Sequence, residues 1–192
     1  MADESYVQLV VRELRRQKDL ADRAMAQVDD DAFFATLAAD DNSIAVIVKH
    51  VAGNMRSRWR DFLTTDGEKP DRDRDSEFDL TSADTRESLL RRWDAGWRLV
   101  FDAIGALSAG DLDRSVTIRG EQFTVLQAIN RQLTHYSYHV GQAVLLARHH
   151  AGGEWKSLSI PRGQSAAFNE KPGRYPAADA PSPRRAYRGA AE

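Results

Sequence analysis

The chain has no cysteine among its 192 residues. This absence excludes disulfides, metal sites built on thiolates and a cysteine nucleophile. An excess of positive charge is also lacking: the formal net charge is −2, which does not favour nucleic acid or an anionic membrane as a partner. Because no stretch approaches roughly 18 uninterrupted apolar residues, the sequence predicts no membrane-spanning helix.

The first residues, M-A-D-E-S-Y, are acidic where a signal peptide is basic, and no apolar segment follows them. With the lack of cysteine, this predicts a cytoplasmic protein. The composition, 42% hydrophobic and 29% charged, is typical of a globular domain, and the length suits one core. We expect residues 1–170 to form that domain. Residues 171–192 are rich in Pro, Gly, Ala and Ser, which predicts a disordered tail.

Apolar residues recur at helical spacing in four long segments, which predicts an all-α fold, a four-helix bundle. The predicted helices cover about residues 3–28, 43–63, 84–107 and 124–150. Gly110 is expected to mark the stop of the third helix, and Asp29-Asp30-Asp31 to provide cap and turn residues. Between helices 3 and 4, the alternating stretch S-V-T-I-R-G-E-Q-F predicts a short hairpin or extended arm. Residues 154–169 are expected to form an ordered C-terminal arm.

Histidines in two of these helices form a candidate metal site. His135 and His139 lie four residues apart in the last helix, so that both imidazoles share one face and reach one ion at about 2.0–2.1 Å for zinc. Such spacing also occurs in ordinary half-buried pairs, so a third ligand is needed. If alternate helices run parallel, His50 lies at a depth in the second helix similar to that of His135 and His139 in the last. It also lies on the same side of its apolar stripe. The sequence predicts a three-histidine centre.

Six neighbours of these histidines are candidates for orienting a ligand or contacting substrate: Asn54, Arg58, Gln132, Tyr136, Tyr138 and Gln142. Arg58 is expected to bind an anionic group, because its planar fork matches a carboxylate. Each of the six could equally be a satisfied polar residue on a helix flank. The charged segment 64–80 also has two interpretations: a solvated, salt-bridged loop, which we favour, or a mouth for a charged substrate.

Longer motifs accompany the histidines. They are H-Y-S-Y-H-V-G-Q, G-N-M-R-S-R-W-R-D-F-L-T-T-D-G-E-K-P (53–70), R-D-S-E-F (74–78) and W-K-S-L-S-I-P-R-G-Q-S (155–165). With His50, they resemble an uncharacterised branch of the DinB/YfiT-like superfamily of metal-binding four-helix bundles, over roughly residues 5–170. Asp71 departs from the pattern, where an aromatic is expected. The resemblance implies that His50, His135 and His139 bind a divalent metal, most often zinc or nickel, and that the protein forms a homodimer.

Some members of that superfamily transfer low-molecular-weight thiols, which implies a thiol S-transferase-like enzyme acting on a small electrophile. The ligands agree with this chemistry, because three neutral imidazoles leave a coordination position open and lower the pKa of a bound thiol or water. The thiol would be external, since the chain has no cysteine. Two alternatives remain: a hydrolase using metal-bound hydroxide, and a non-catalytic, stress-related metal-binding dimer.

Overall fold

The structure is a computed structural model that describes residues 5–170. The predicted tail at 171–192 lies outside the described residues. The helices are α1 (Tyr6–Met25), α2 (Asp30–Phe34), α3 (Ile44–Trp59), α4 (Arg86–Gly105), α5 (Val125–Ala151) and α6 (Ser165–Glu170). A hairpin of β1 (Ser115–Ile118) and β2 (Glu121–Thr124) lies between α4 and α5. The predicted fold, four major helices with this hairpin, is confirmed, and no helix within residues 5–170 is long and apolar enough to cross a membrane.

Each long helix begins at a hydroxyl side chain that accepts a hydrogen bond from the backbone N–H three residues later. Such a cap satisfies one of the N–H groups that have no partner inside the helix. The capping residues of α1, α3, α4 and α5 are Ser5, Ser43, Thr85 and Thr124. Asp29 caps α2 in the same way, as predicted, but Asp30 and Asp31 form the first turn of that unexpected helix.

Two predicted helix ends were wrong. Helix α3 ends at Trp59, because Arg60 is extended and Asp61 has a positive φ of 49°. Helix α4 ends at Gly105, so Gly110 is not its stop. In both cases an apolar residue beyond the end, Phe62 or Leu107, is still buried. The hydrophobic pattern therefore continues past the last helical turn and makes the helix look longer in the sequence.

The core between the long helices contains an aromatic cluster around Trp97 of α4, which has no exposed surface. The Trp97 ring lies 5.5 Å from the rings of Trp93 and Phe101 and 5.6 Å from Tyr136 of α5. Helix α3 also packs closely on α4, since a Cβ added at Gly96 would lie 3.1 Å from Met55. Helix α3 thus packs on α4, and α5 contacts α4 through the ring of Tyr136.

The hairpin is joined to the segment after α3. Its turn residues Arg119 and Gly120 have positive φ values of 56° and 77°, and their backbone N–H groups donate to the Asp66 carboxylate at 2.8 and 2.9 Å. The backbone N–H of Gly67 donates to Thr117 of β1 at 2.7 Å. These bonds fix the hairpin turn beside the charged segment 64–80.

Part of the predicted C-terminal arm packs on the bundle. Leu158 is buried in the core, and Trp155 is partly buried against it. The Gln27 side chain exchanges two hydrogen bonds with the backbone of Lys156, at 2.7 and 3.2 Å. The arm is thereby attached to the end of α1.

The cap of α3 gives a first prediction. Ser43 is buried and its Oγ accepts from the N–H of Val46 at 3.2 Å. The Ser43→Ala substitution should lower the free energy of unfolding by about 1 kcal/mol, because the N–H loses its partner. Urea unfolding measures this change. Ser82→Ala, at an exposed position, is the control and should have no effect; equal stability of the two variants would contradict the role of the cap.

Candidate metal centre

The structure brings together His50 of α3 and His135 and His139 of α5. The Nε2 atom of His135 lies 3.4 Å from that of His50 and 3.2 Å from that of His139. One ligand atom from each residue lies within 4.8 Å of the others, and residues 5–170 contain no second group of this kind. We call these three residues the metal centre. Their convergence is the arrangement predicted from the sequence.

The spacing of the nitrogen atoms fits a metal ion. Two zinc–nitrogen bonds of about 2.05 Å at a tetrahedral angle place their nitrogens about 3.3 Å apart. The two Nε2 distances of 3.2 and 3.4 Å lie on either side of that value. Three protein nitrogens also leave at least one coordination position for another ligand. These spacings are compatible with a divalent ion held by the three imidazoles.

The opposite ring nitrogens explain why Nε2 is the metal-binding atom. The Nδ1 of His50 lies 2.8 Å from Oε2 of Glu77, and the Nδ1 of His139 lies 2.8 Å from Oε1 of Gln142. A carboxylate or an amide oxygen can only accept a hydrogen bond, so each Nδ1 must carry the proton. Each Nε2 then has a free lone pair, which is the form that binds metal. Gln142, singled out in the sequence, thus contacts one ligand directly.

His135 has different surroundings. Its Nδ1 is buried and has no hydrogen-bond partner among the described residues. Burial, followed by the charges of His139 and His50, lowers the pKa of His135 to about 3. Burial likewise lowers the pKa of His139. Both rings are therefore neutral near pH 7, as metal ligands must be.

Sequence analysis missed Glu77, the partner of His50. Glu77 ends a short 3₁₀ helix, Asp75–Glu77, and is buried. Arg72 donates hydrogen bonds to both oxygens of the Glu77 carboxylate: its Nε lies 2.8 Å from Oε1, and its Nη2 lies 2.9 Å from Oε2. Burial would raise the pKa of Glu77, but the hydrogen bonds from His50 and Arg72 hold it below the ordinary value. Glu77 is therefore a carboxylate whose charge is balanced by Arg72.

Gly53 makes room for this carboxylate. A Cβ at position 53 would lie 2.3 Å from Oε1 of Glu77, so any larger residue would displace it. A glycine within a helix, one turn after a candidate ligand, was the available signal of this close approach. The solvated-loop interpretation of residues 64–80 is wrong for Glu77 and Arg72, because their side chains are only 7% and 4% exposed.

Two of the other candidate residues, Asn54 and Tyr136, are hydrogen-bonded to each other within the core. Asn54 is buried, and its Oδ1 accepts a hydrogen bond from the Tyr136 hydroxyl at 3.2 Å. That hydroxyl accepts from Nε1 of Trp59 at 2.8 Å. Burial raises the pKa of Tyr136 far above its ordinary value. Since Tyr136 is fully buried, direct contact with a substrate is excluded and its action on the metal centre can only pass through Asn54 or the packing of His135.

The remaining candidates differ in exposure. Arg58 is buried, and its Nη1 donates to the Gly67 carbonyl and, at 2.8 Å, to Glu68, while its Nε has no partner among the described residues. Gln132 is buried, and its Oε1 has no partner among the described residues. Tyr138 is 63% exposed, with its ring 4.9 Å from that of His139. Of these three residues, Tyr138 alone presents most of its surface to solvent.

A cavity of about 160 Å³ adjoins the metal centre and shares His50 and His135 with it. Its other lining residues are polar: Asn54, Arg58, Arg72, Arg74, Arg119, Arg131 and Gln132. A larger groove of about 630 Å³ lies between α1 and the C-terminal arm, but it is lined by none of the three histidines. The smaller cavity is therefore the candidate substrate site.

Comparison with known proteins places the chain in a family. A family model described as "Protein of unknown function (DUF1572)" matches residues 2–164. The chain belongs to the DUF1572 family. No curated protein and no solved structure matches it significantly. The metal centre of this DUF1572 protein lies entirely inside the matched region. Membership of the DinB/YfiT-like superfamily, and the homodimer it implies, stay predictions.

The close approach at Gly53 gives a second prediction. In this DUF1572 protein, Gly53→Ala should push Glu77 away from His50 and weaken zinc binding about 10–100-fold, the usual cost of losing such a partner. Competition with a chromophoric chelator measures the affinity. Gly105→Ala is the matched control, because a Cβ there meets no atom within 4 Å. Unchanged zinc affinity in Gly53→Ala would show that Glu77 does not support His50.

Proposed function

We propose that this protein is a divalent-metal-dependent enzyme that joins an external low-molecular-weight thiol to a small electrophile. The observation that supports the proposal is the convergence of three imidazole rings beside a polar cavity. A divalent ion held there supplies an open Lewis-acidic position that lowers the pKa of a thiol, and the thiolate is the nucleophile. Imidazole ligands do not select between zinc and nickel, so either ion fits.

The charges around the metal centre favour an anionic ligand. The three histidines contribute no negative charge, and the nearest carboxylate, Glu77, is already balanced by Arg72. A divalent ion would thus keep its full positive charge, which attracts a thiolate. Because the chain has no cysteine, the thiol has to enter from solution.

The protein groups around the cavity have separate roles in this proposal. Glu77 and Gln142 fix the orientation and tautomer of His50 and His139, so that their Nε2 lone pairs stay directed at the metal position. Asn54, held by Tyr136, presents its amide at the cavity wall. The cavity has a volume of about 160 Å³, which suits a small electrophile.

Histidine variants give a third prediction. The purified protein should bind one divalent ion, and His135→Ala should lose it because only two ligand nitrogens remain. With metal and a low-molecular-weight thiol, the protein should convert a chloro-dinitro aromatic compound or an epoxide, whereas the apoprotein and His135→Ala should not. Elemental analysis and product chromatography measure the two effects. His149→Ala, at an exposed position near the end of α5, is the control.

The outcomes distinguish the competing functions. Ester hydrolysis that needs metal but no thiol would replace the proposed transferase by a hydrolase. Metal binding without either activity across a panel of thiols and electrophiles would favour a non-catalytic metal-binding protein. Loss of metal from His149→Ala, or its retention in His135→Ala, would contradict the metal centre itself.

A further inference from the structure

We propose that the cavity beside the metal centre binds an oxyanionic group, a carboxylate or a phosphate, of a small substrate. Three arginines at its edge, Arg74, Arg119 and Arg131, would hold this group. We call them the outer arginines, and we call Arg58 and Arg72 the inner arginines. The inference rests on the proposed function only in calling the anion a substrate. Anion binding itself is inferred from the residues that line the cavity.

The lining of the cavity has one sign of charge. Five of its nine lining residues are arginines, two are amides and two are histidines of the metal centre. No carboxylate lines it. Clustered like charges in a confined, partly dehydrated space repel one another, and a bound anion relieves that repulsion. Arginine forks also bind carboxylate and phosphate through paired hydrogen bonds.

The inner arginines are already compensated. Arg72 binds Glu77 through two nitrogens and lies 3.0 Å from Oε2 of Glu68. Arg58 lies 2.8 Å from the same Glu68 oxygen. Both side chains are almost fully buried, at 4% and 6% exposure. Two carboxylates therefore balance two inner arginines, as buried charges require.

The outer arginines have much weaker partners. Arg119 lies 3.4 Å from Glu68, which the inner arginines already share. Arg74 lies 3.6 Å from Asp75, whose side chain is 97% exposed, so solvent screens that pair. Arg131 forms no ion pair within residues 5–170, and its guanidinium lies 5.5 Å from the ring centroid of Phe123. Three carboxylates, Glu68, Glu77 and the solvent-exposed Asp75, pair with members of this set of five arginines, so the excess at the cavity is about two positive charges.

The backbone fixes one outer arginine at the cavity. Arg119 lies in the hairpin turn with a φ of 56°, and the Asp66 carboxylate accepts from its N–H and from that of Gly120. Burial would raise the pKa of Asp66, but hydrogen bonds from the backbone N–H groups of Glu68, Gly120 and Arg119 hold it below its ordinary value. The side chain of Arg119 therefore projects from an anchored turn.

Two buried polar atoms in the wall also lack partners. Nε of Arg58 and Oε1 of Gln132 are inaccessible and have no hydrogen bond among the described residues, and both residues line the cavity. An unpaired buried N–H is costly, so an oxyanion that accepts from Nε of Arg58 would satisfy a donor that the protein leaves open. The outer arginines would supply the other contacts.

Titration of the zinc-loaded protein tests the inference. Calorimetry should detect binding of malonate or inorganic phosphate, whereas malonamide, which has the same skeleton without charge, should not bind. The double substitution Arg119→Gln and Arg131→Gln should weaken anion binding about tenfold or more, because each loses a charged hydrogen-bond donor. Arg98→Gln, at an exposed position on α4 outside the cavity, is the matched control and should bind as the unmodified protein does.

The results separate this inference from the proposed function. If zinc binds but neither anion does, or if the double variant binds them as tightly as Arg98→Gln, the anion site is overturned while the metal centre stands. Equal binding of malonamide would also overturn it. If zinc fails to bind but arginine-dependent anion binding persists, the proposed function fails and the anion site is supported. Tighter binding of malonate or of phosphate identifies the oxyanion.

Discussion

The buried chain from Arg72 through Glu77 to His50 is the interaction on which the metal centre depends. It attaches an irregular loop to α3, fixes the proton of His50 on Nδ1 and leaves Nε2 free for metal. A buried carboxylate without such partners would be strongly destabilising, so the loop, the arginine and the histidine form a single unit. Gly53 completes that unit, because only a residue without Cβ allows the carboxylate to lie this close to the helix.

The same chain determines the charge of the cavity. Since Arg72 uses its charge on Glu77, and Arg58 and Arg72 share Glu68, the inner part of the cavity is neutral. The outer arginines add a positive edge. A divalent ion at the histidines would add to that field, since no carboxylate of residues 5–170 belongs to the group of candidate ligands. The same excess of positive charge favours both the thiolate of the proposed function and the oxyanion of the further inference.

The sequence predicted the elements that have a regular period. The four long helices, the hairpin around Gly120 and the face shared by His135 and His139 all follow from spacings of 3.6 or two residues. The helix ends were predicted less accurately, because Phe62 and Leu107 are buried beyond the last turn and continue the apolar pattern. Among the predicted neighbours, Gln142 contacts His139, Tyr136 is fully buried, and Arg58 donates through Nη1 to Gly67 and Glu68.

The sequence by itself indicated which imidazoles come together, because His50, His135 and His139 all lie at the borders of the apolar stripes of two helices. Only the tertiary structure decided how those nitrogens are oriented and compensated. Glu77 lies 27 residues from His50, in a loop without periodicity. The ion pairs in this loop depend on how the loop folds back onto α3. The local spacing of residues in the sequence does not predict that path.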